Sequence, residues 1–257
     1  MNTKHIAIVT GATGGLGQAW IQLLLKEKEV DEIWAIARNE KKLGELRQRY
    51  GKKIQIFSVD LSRAREIDRF GLELKKKPII VKYLVNNAGY GKFASFRDID
   101  RNESVNMVNL NISGVISMGL LCIPYMEKGC HIINIASMAS FLPLPYLNIY
   151  SATKAFVRNY SRALNVELRE KGIRVTAVCP GWIQTDFFQR AAIGAEKTAR
   201  NYIGITTPDK VAQKALSDAK HGKDISVYGF LTKCIHLAAK VLPQRLMMSL
   251  WMKQQHF

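Results

Sequence analysis

Apolar and polar positions follow two alternating rhythms along this chain. Short apolar runs of strand length recur, each closed by small or polar residues and followed by a segment whose apolar positions fall near a 3.6-residue period. The runs cover residues 5–10 (His-Ile-Ala-Ile-Val-Thr), 32–37, 53–59, 82–85, 129–136 and 174–179, with residues 225–229 as a seventh candidate. The first helical segment carries Ala19, Trp20, Leu23 and Leu24. A basic helix follows over residues 39–50, an Arg/Lys-rich one precedes residue 82, and another spans 103–121 with Asn109 and Asn111 inside it. Residues 155–171 contain no Gly or Pro and place Phe156, Tyr160, Ala163, Leu164 and Leu168 at helical spacing. Thr207-Pro208-Asp209 reads as a helix start, with proline in the first turn and the acid near the positive end of the dipole. Strand and helix alternating over this length predict one α/β domain: a doubly wound parallel sheet of about seven strands, helices on both faces and right-handed crossovers.

The pattern changes after residue 229. Leu231, Cys234, Ile235, Ala238, Val241 and Leu242 form one apolar helical face, Pro243 interrupts, and Leu246, Met247, Leu250 and Trp251 form another, with Lys233, Lys240, Arg245 and Lys253 between. The chain therefore divides into a domain over residues 1–229 and a helical extension over 230–257. The extension admits three readings: a lid over the substrate loops, a dimer contact, or an interfacial helix on anionic lipid. Apolar helical stripes bury against protein more often than lipid, which favours the first two.

Two stretches carry chemistry. Directly after the first strand stands Gly11-Ala12-Thr13-Gly14-Gly15-Leu16-Gly17, directly before a helix, the context a dinucleotide site demands. Gly11 permits the tight turn, Gly15 lets the backbone approach phosphates, and Gly17 lets helix pack on strand. The second strand ends at Ala37-Arg38, near the position where a carboxylate holds the ribose 2′-hydroxyl of NAD or an arginine accepts a 2′-phosphate. With no carboxylate and a guanidinium there, NADP(H) is favoured and NAD(H) is the alternative. The second stretch is Tyr150-Ser-Ala-Thr-Lys154, in which phenol and ammonium lie one helical turn apart on a shared face. A cation beside a phenol favours phenolate, bringing a group that titrates near pH 10 towards useful acid/base chemistry. Alone, that spacing is unspecific. Small residues at strand ends, Asn87-Ala88-Gly89 and Pro180-Gly181, fall where parallel sheets bind ligands.

Composition alters this picture in one respect. The 257 residues are 47% hydrophobic and 23% charged, ordinary values, but the formal net charge is +17. Such a charge can serve nucleic acid, an anionic membrane or an anionic ligand. The cations are interspersed, however, without a basic arm, and solvated helix faces account for them better than a nucleic-acid surface. Cys122, Cys130, Cys179 and Cys234 show neither metal nor disulfide spacing, lie in apolar surroundings and read as reduced core thiols. Ten residues before the first glycine leave no room for a secretion signal, and no apolar stretch reaches bilayer-spanning length. A cytoplasmic location is expected, and no metal site.

Taken jointly, the motifs resemble the short-chain dehydrogenase/reductase family, from residue 6 to residue 229. The matching features are Thr10-Gly-Ala-x-Gly-Gly-Leu-Gly17, Asp60, Asn86-Asn-Ala-Gly89, Asn111 followed by Gly114, Ser137, Tyr150-x-x-x-Lys154 and Pro180-Gly181, all in the family's order. The resemblance implies a Rossmann fold and hydride transfer between a nicotinamide and a carbonyl or secondary alcohol. It implies Tyr150 as general acid/base, Ser137 orienting the carbonyl oxygen, Lys154 lowering the tyrosine pKa and bonding the ribose, and Asn111 supporting a proton-relay water. It further implies that Asp60, beside Leu61, meets adenine, that Asn87 supports the cofactor, and that Ile183 and Thr185 meet the carboxamide. A homo-oligomer is implied as well. Some NADP-preferring members carry a second basic residue where this chain has Gly14, so the cofactor choice rests on Arg38.

The loops at residues 90–96, 138–147 and 182–205 flank the expected site and carry Phe93, Phe96, Phe141, Leu142, Leu144, Tyr146, Leu147, Trp182, Phe187 and Phe188 with few acids. A pocket so lined favours a bulky apolar carbonyl compound: a steroid, bile acid, fatty acyl chain or aromatic ketone. The alternatives are NAD-dependent oxidation of an alcohol or hydroxysteroid, a nucleotide sensor without turnover, and a nucleic-acid binder.

Overall fold

Strand β1 (Lys4–Thr10) lies inside the sheet, between two neighbouring strands, and is buried on both faces from Ile6 to Thr10. The computed structural model describes residues 3–195, 198–199 and 201–256; residues 196, 197 and 200 of the expected loop 182–205 fall outside the described set. Beside β1 run β2 (Glu32–Ala37), β3 (Ile54–Ser58), β4 (Ile79–Asn86), β5 (His131–Ile135), β6 (Arg174–Val178) and the two-residue β7 (Ile225–Ser226). All pair in parallel in the order β3-β2-β1-β4-β5-β6-β7.

Alternate side chains of one strand enter different cores. Ala7 and Val9 of β1 join Trp20, Ile21 and Leu24 of α1 (Gly15–Leu24), Leu43 and Leu46 of α2 (Glu40–Tyr50), and Val211 and Leu216 of α8 (Pro208–Lys220). Ile6 and Ile8 join Phe70 and Leu74 of α3 (Ala64–Leu74), Met118 and Cys122 of α5 (Gly114–Cys122), and Leu164 of α6 (Asn148–Glu167). Each large aliphatic or aromatic side chain so buried contributes about 1.5–3 kcal/mol.

The expected helix at 103–121 is part of a longer rod. α4 (Arg101–Val108) passes through a π-turn, Asn109–Ser113, directly into α5. This rod, Arg101–Tyr125, is long and apolar enough by length and composition to cross a membrane, correcting the expectation that no such stretch exists. Met107, Leu110, Val115, Met118 and Cys122 are buried in the protein core, which accounts for one side of the rod; Val105, Val108 and Leu120 are exposed. The thiols of Cys122, Cys130 and Cys179 are buried as expected, but Cys234 is exposed. It sits on α9 (Phe230–Val241), which with α10 (Gln244–Gln255) ends the chain.

The order of connections reverses between β1 and β4. Side by side, their carboxyl ends leave the crevice in which open parallel sheets bind ligands.

Candidate active site

The glycine turn is held by its neighbour across that crevice. Thr10 Oγ1 accepts from Asn87 N and Ala88 N, both at 2.9 Å, and Asn87 Nδ2 donates back to the carbonyls of Thr10 and Gly11. Gly11 has φ +62°, and a Cβ there would stand 2.9 Å from Asn87 Nδ2 and Ala88 Cα. At Gly17 a Cβ would lie 2.2 Å from the Gly11 carbonyl oxygen, so only glycine lets α1 start this close to β1. Gly14 precedes α1 in extended geometry, no side chain caps the helix, and its first turn holds no acid. The exposed N–H groups and the positive end of the dipole therefore face the crevice, the physical requirement for a pyrophosphate.

Ser137 and Tyr150 meet at the other end. Ser137 follows β5, and its Oγ accepts from Ala139 N at 3.1 Å, fixing the rotamer. Tyr150 and Lys154 share a face of α6, as the four-residue spacing predicts, and both are buried. Lys154 Nζ donates to the Ile135 carbonyl at 2.7 Å and stands 5.8 Å from the centroid of the Tyr150 ring. Burial pushes the Tyr150 phenol up to about 12, opposed by its hydrogen bond with Ser137. Burial also lowers Lys154 to about 8. Desolvation is thus the larger influence on the phenol and the Ser137 hydrogen bond the opposing one.

Asn111 sits in the π-turn, fully buried. Its Oδ1 accepts from Tyr90 N at 3.1 Å, and Nδ2 donates to the Tyr90 carbonyl at 2.9 Å and to Thr153 Oγ1 at 3.0 Å. The side chain joins the loop after β4 to α6 behind Gly89.

The glycine turn, Ser137, Tyr150 and Lys154 open onto one cavity of about 880 Å³. Gly11, Thr13, Gly14, Gly15, Leu16, Arg38, Leu61, Asn87, Ala88, Gly89, Ser137, Tyr150, Lys154, Pro180, Gly181, Ile183 and Thr185 all line it. Gly17, Asp60 and Asn111 do not. The Asp60 carboxylate accepts from Ser62 N and Oγ at 3.0 and 2.7 Å and so shapes the loop, while Val59 and Leu61 face the cavity.

Of the expected apolar residues, Phe93, Leu142, Leu144, Leu147, Trp182, and Phe187 and Phe188 of the short α7 (Phe187–Ala192) line the cavity. Phe96 is 80% exposed, Phe141 is buried under a stacked His236 at 4.0 Å, and Tyr146 takes φ +61° in its loop; these three do not line it. Sequence reasoning missed Tyr90, Met138 and Ile203, which also line it. All three lie on loops already suspected; Tyr90 and Met138 are half-buried, and Ile203 lines the cavity at its exposed rim.

The C-terminal helices complete the wall. Leu231, Cys234, Ile235, Ala238 and Leu242 of α9 and beyond, then Met247, Leu250 and Trp251 of α10, line the same cavity. Trp251 Nε1 donates to the Pro145 carbonyl at 3.1 Å, and Gln255 exchanges two 3.1 Å hydrogen bonds with the Asn201 backbone. α10 thereby ties together the loops that follow β5 and β6. Trp182, Phe188, Tyr202 and Trp251 form an aromatic cluster with ring centroids 4.8–6.4 Å apart.

A family profile described as short chain dehydrogenase matches residues 5–195. The very-long-chain 3-oxoacyl-CoA reductase of Anas platyrhynchos is 38% identical over 191 residues, covering 70% of this chain and 60% of the duck protein, so the match spans less than two thirds of that relative. Very-long-chain 3-oxoacyl-CoA reductase-B of Danio rerio is 32% identical over 260 residues, covering 94% of this chain and 77% of its own length. Among solved structures, the closed form of serine dehydrogenase complexed with NADP+ superposes with a TM-score of 0.77 at 28% identity, covering 88% of this chain and 95% of its own.

Proposed function

The chain belongs to the short-chain dehydrogenase/reductase family; from that premise we propose an oxidoreductase that uses a nicotinamide cofactor, namely an NADP(H)-dependent reductase of bulky apolar ketones. One observation carries the reading. Tyr150 and Ser137 line the same cavity as the glycine turn, the aromatic loops and the C-terminal helices, and the Tyr150 ring stands 5.4 Å from that of Phe187. In this reading the backbone at Gly11, Thr13, Gly14, Gly15 and Leu16 holds the pyrophosphate and Arg38 takes the 2′-phosphate. Val59 and Leu61 flank adenine, with Asp60 shaping their loop. Asn87, Ala88 and Gly89 border the nucleotide, Lys154 bonds the ribose, and Pro180, Gly181, Ile183 and Thr185 hold the nicotinamide end. When bound, that group supplies the hydride.

The protein's own part is protonic and electrostatic. With its pKa raised, the Tyr150 phenol keeps its proton at neutral pH, the form needed to protonate a carbonyl oxygen as the carbon is reduced. Ser137 holds the same oxygen. Asn111, through Thr153 and Tyr90, keeps α6 and the β4 loop in register behind them.

Within the apolar class, a fatty 3-oxoacyl chain is the member that the names of the duck and zebrafish relatives support. The other members of the class are steroids, bile acids and aromatic ketones. We also propose a reducing, cytoplasmic setting, supported by the three buried free thiols. A homo-oligomer belongs to the same reading, supported by the exposed Val105, Val108, Leu120, Phe156 and Val166 on α4, α5 and α6.

The test is a side-by-side fluorescence titration of NADPH and NADH on wild type and Arg38→Ala, followed by a ketone panel. We expect tighter NADPH binding that the variant loses, and hydrophobic ketones turned over ahead of small polar sugars. Sugars outpacing hydrophobic ketones would overturn the substrate class. Tighter NADH binding would turn the reading to NAD-dependent alcohol oxidation.

A further inference from the structure

The inward side of the C-terminal helices is accounted for by the cavity; the outward side is not. On α9, Phe230, Leu237 and Val241 are 85, 64 and 75% exposed, at helical spacing, with the exposed Lys233 and Lys240 between them. On α10 the exposed Leu246 and Leu250 stand beside the exposed Arg245 and Lys253. No Asp or Glu occurs from residue 225 to the end of the chain. The surface is continuous with the cavity: Leu231, Leu242, Leu250 and Ile203 line it and are also exposed.

We propose that the outer face of α9 and α10 docks on an anionic lipid bilayer. Apolar side chains of this spacing enter the headgroup boundary while lysine and arginine meet lipid phosphates. A second copy of the chain fits this face poorly, because it would bring an all-cationic surface against itself. Docking sets the apolar rim of the cavity against the membrane, so a lipidic ketone passes from bilayer to Tyr150 without crossing water. That purpose rests on the apolar-substrate reading; the docking itself does not.

Flotation of the purified full chain with phosphatidylcholine vesicles, with and without phosphatidylglycerol, tests it. The protein should float with the anionic vesicles alone and be released by salt. Lys233→Gln with Lys240→Gln should weaken binding about 25-fold, about fivefold for each lost cation. Leu237→Gln with Val241→Gln should remove it. None of these four residues lines the cavity, so turnover of a small water-soluble ketone in vesicle-free buffer should be unchanged, which also shows that the variants fold. The proposal is overturned by wild type that fails to float, by variants that float as well as wild type, or by an oligomer that Leu237→Gln with Val241→Gln dissociates without lipid. A protein that floats yet reduces only polar ketones would sink the substrate reading alone.

Discussion

Tyr150 and Lys154 show how little of a residue's chemistry its spacing fixes. Four positions apart on α6, they share a face as expected, yet burial decides both protonation states, raising the phenol to about 12 and lowering the ammonium to about 8. The consequence is a pH profile. The phenol stays protonated throughout the ordinary range, so it imposes no limb there. Lys154 is charged below about 8 and loses its charge above it. Ketone reduction at saturating NADPH should therefore hold level below that value and decline as pH rises through it. Lys154→Met should lower the plateau and abolish the limb, because no titrating cation remains. A limb that persists in Lys154→Met would assign it to another group.

Among elements, the strands were readable because a continuous apolar run between turn residues has few other uses, and all seven lie close to their expected places. The glycine turn was equally plain, since Gly11 and Gly17 answer to backbone contacts that any side chain would break. The π-turn was not readable: Asn109, Asn111 and Ser113 look like ordinary polar interruptions of a helix, and what sets Asn111 apart is its long-range hydrogen bonds to Tyr90 and Thr153. Cys234 was misplaced because apolar sequence neighbours on a helix point to several sides.

Another feature hidden from the sequence is Asp218 on α8, 3% exposed and held by Lys214, Lys223 and Ser226 of the β7 region. Although desolvation opposes ionisation, the hydrogen bonds from its lysine and serine partners prevail and hold its carboxyl below the usual range. Its stabilisation is thus present at neutral pH and is lost only as pH falls through that depressed value. Asp218→Asn should cost about 2–3 kcal/mol at neutral pH, discounting the buried-pair range because the lysines are partly solvated. Thermal unfolding would show this as a drop of about 5–10 °C, with wild type and variant converging in strong acid. A variant as stable as wild type at neutral pH would reduce the cluster to a surface ion pair.

At the scale of the whole molecule, the cavity is assembled from two sets of residues with separate duties. Residues up to Gly89, joined by Lys154 and by Pro180, Gly181, Ile183 and Thr185, border the nucleotide end, while Phe93, the rest of the loops after β5 and β6, and α9 and α10 supply the apolar wall. Arg38 follows β2 at one margin, and Trp251 on α10 stacks on Trp182 and holds Pro145 at the other. If the division is real, changes at the two margins act on different ligands. Arg38→Ala should weaken NADPH binding and leave the KM for a hydrophobic ketone at saturating NADPH unaltered. Trp251→Ala should raise that KM, by about tenfold for loss of a buried aromatic contact worth about 1–1.5 kcal/mol, and leave NADPH affinity unaltered. Residues that share no partner combine additively to within about 0.5 kcal/mol, so the double variant should show the product of the single effects on kcat/KM. A coupling well beyond that margin would mean that α10 closes over the nucleotide as well as the ketone, and the cavity would then have to be treated as one site in which the C-terminal helices respond to both ligands.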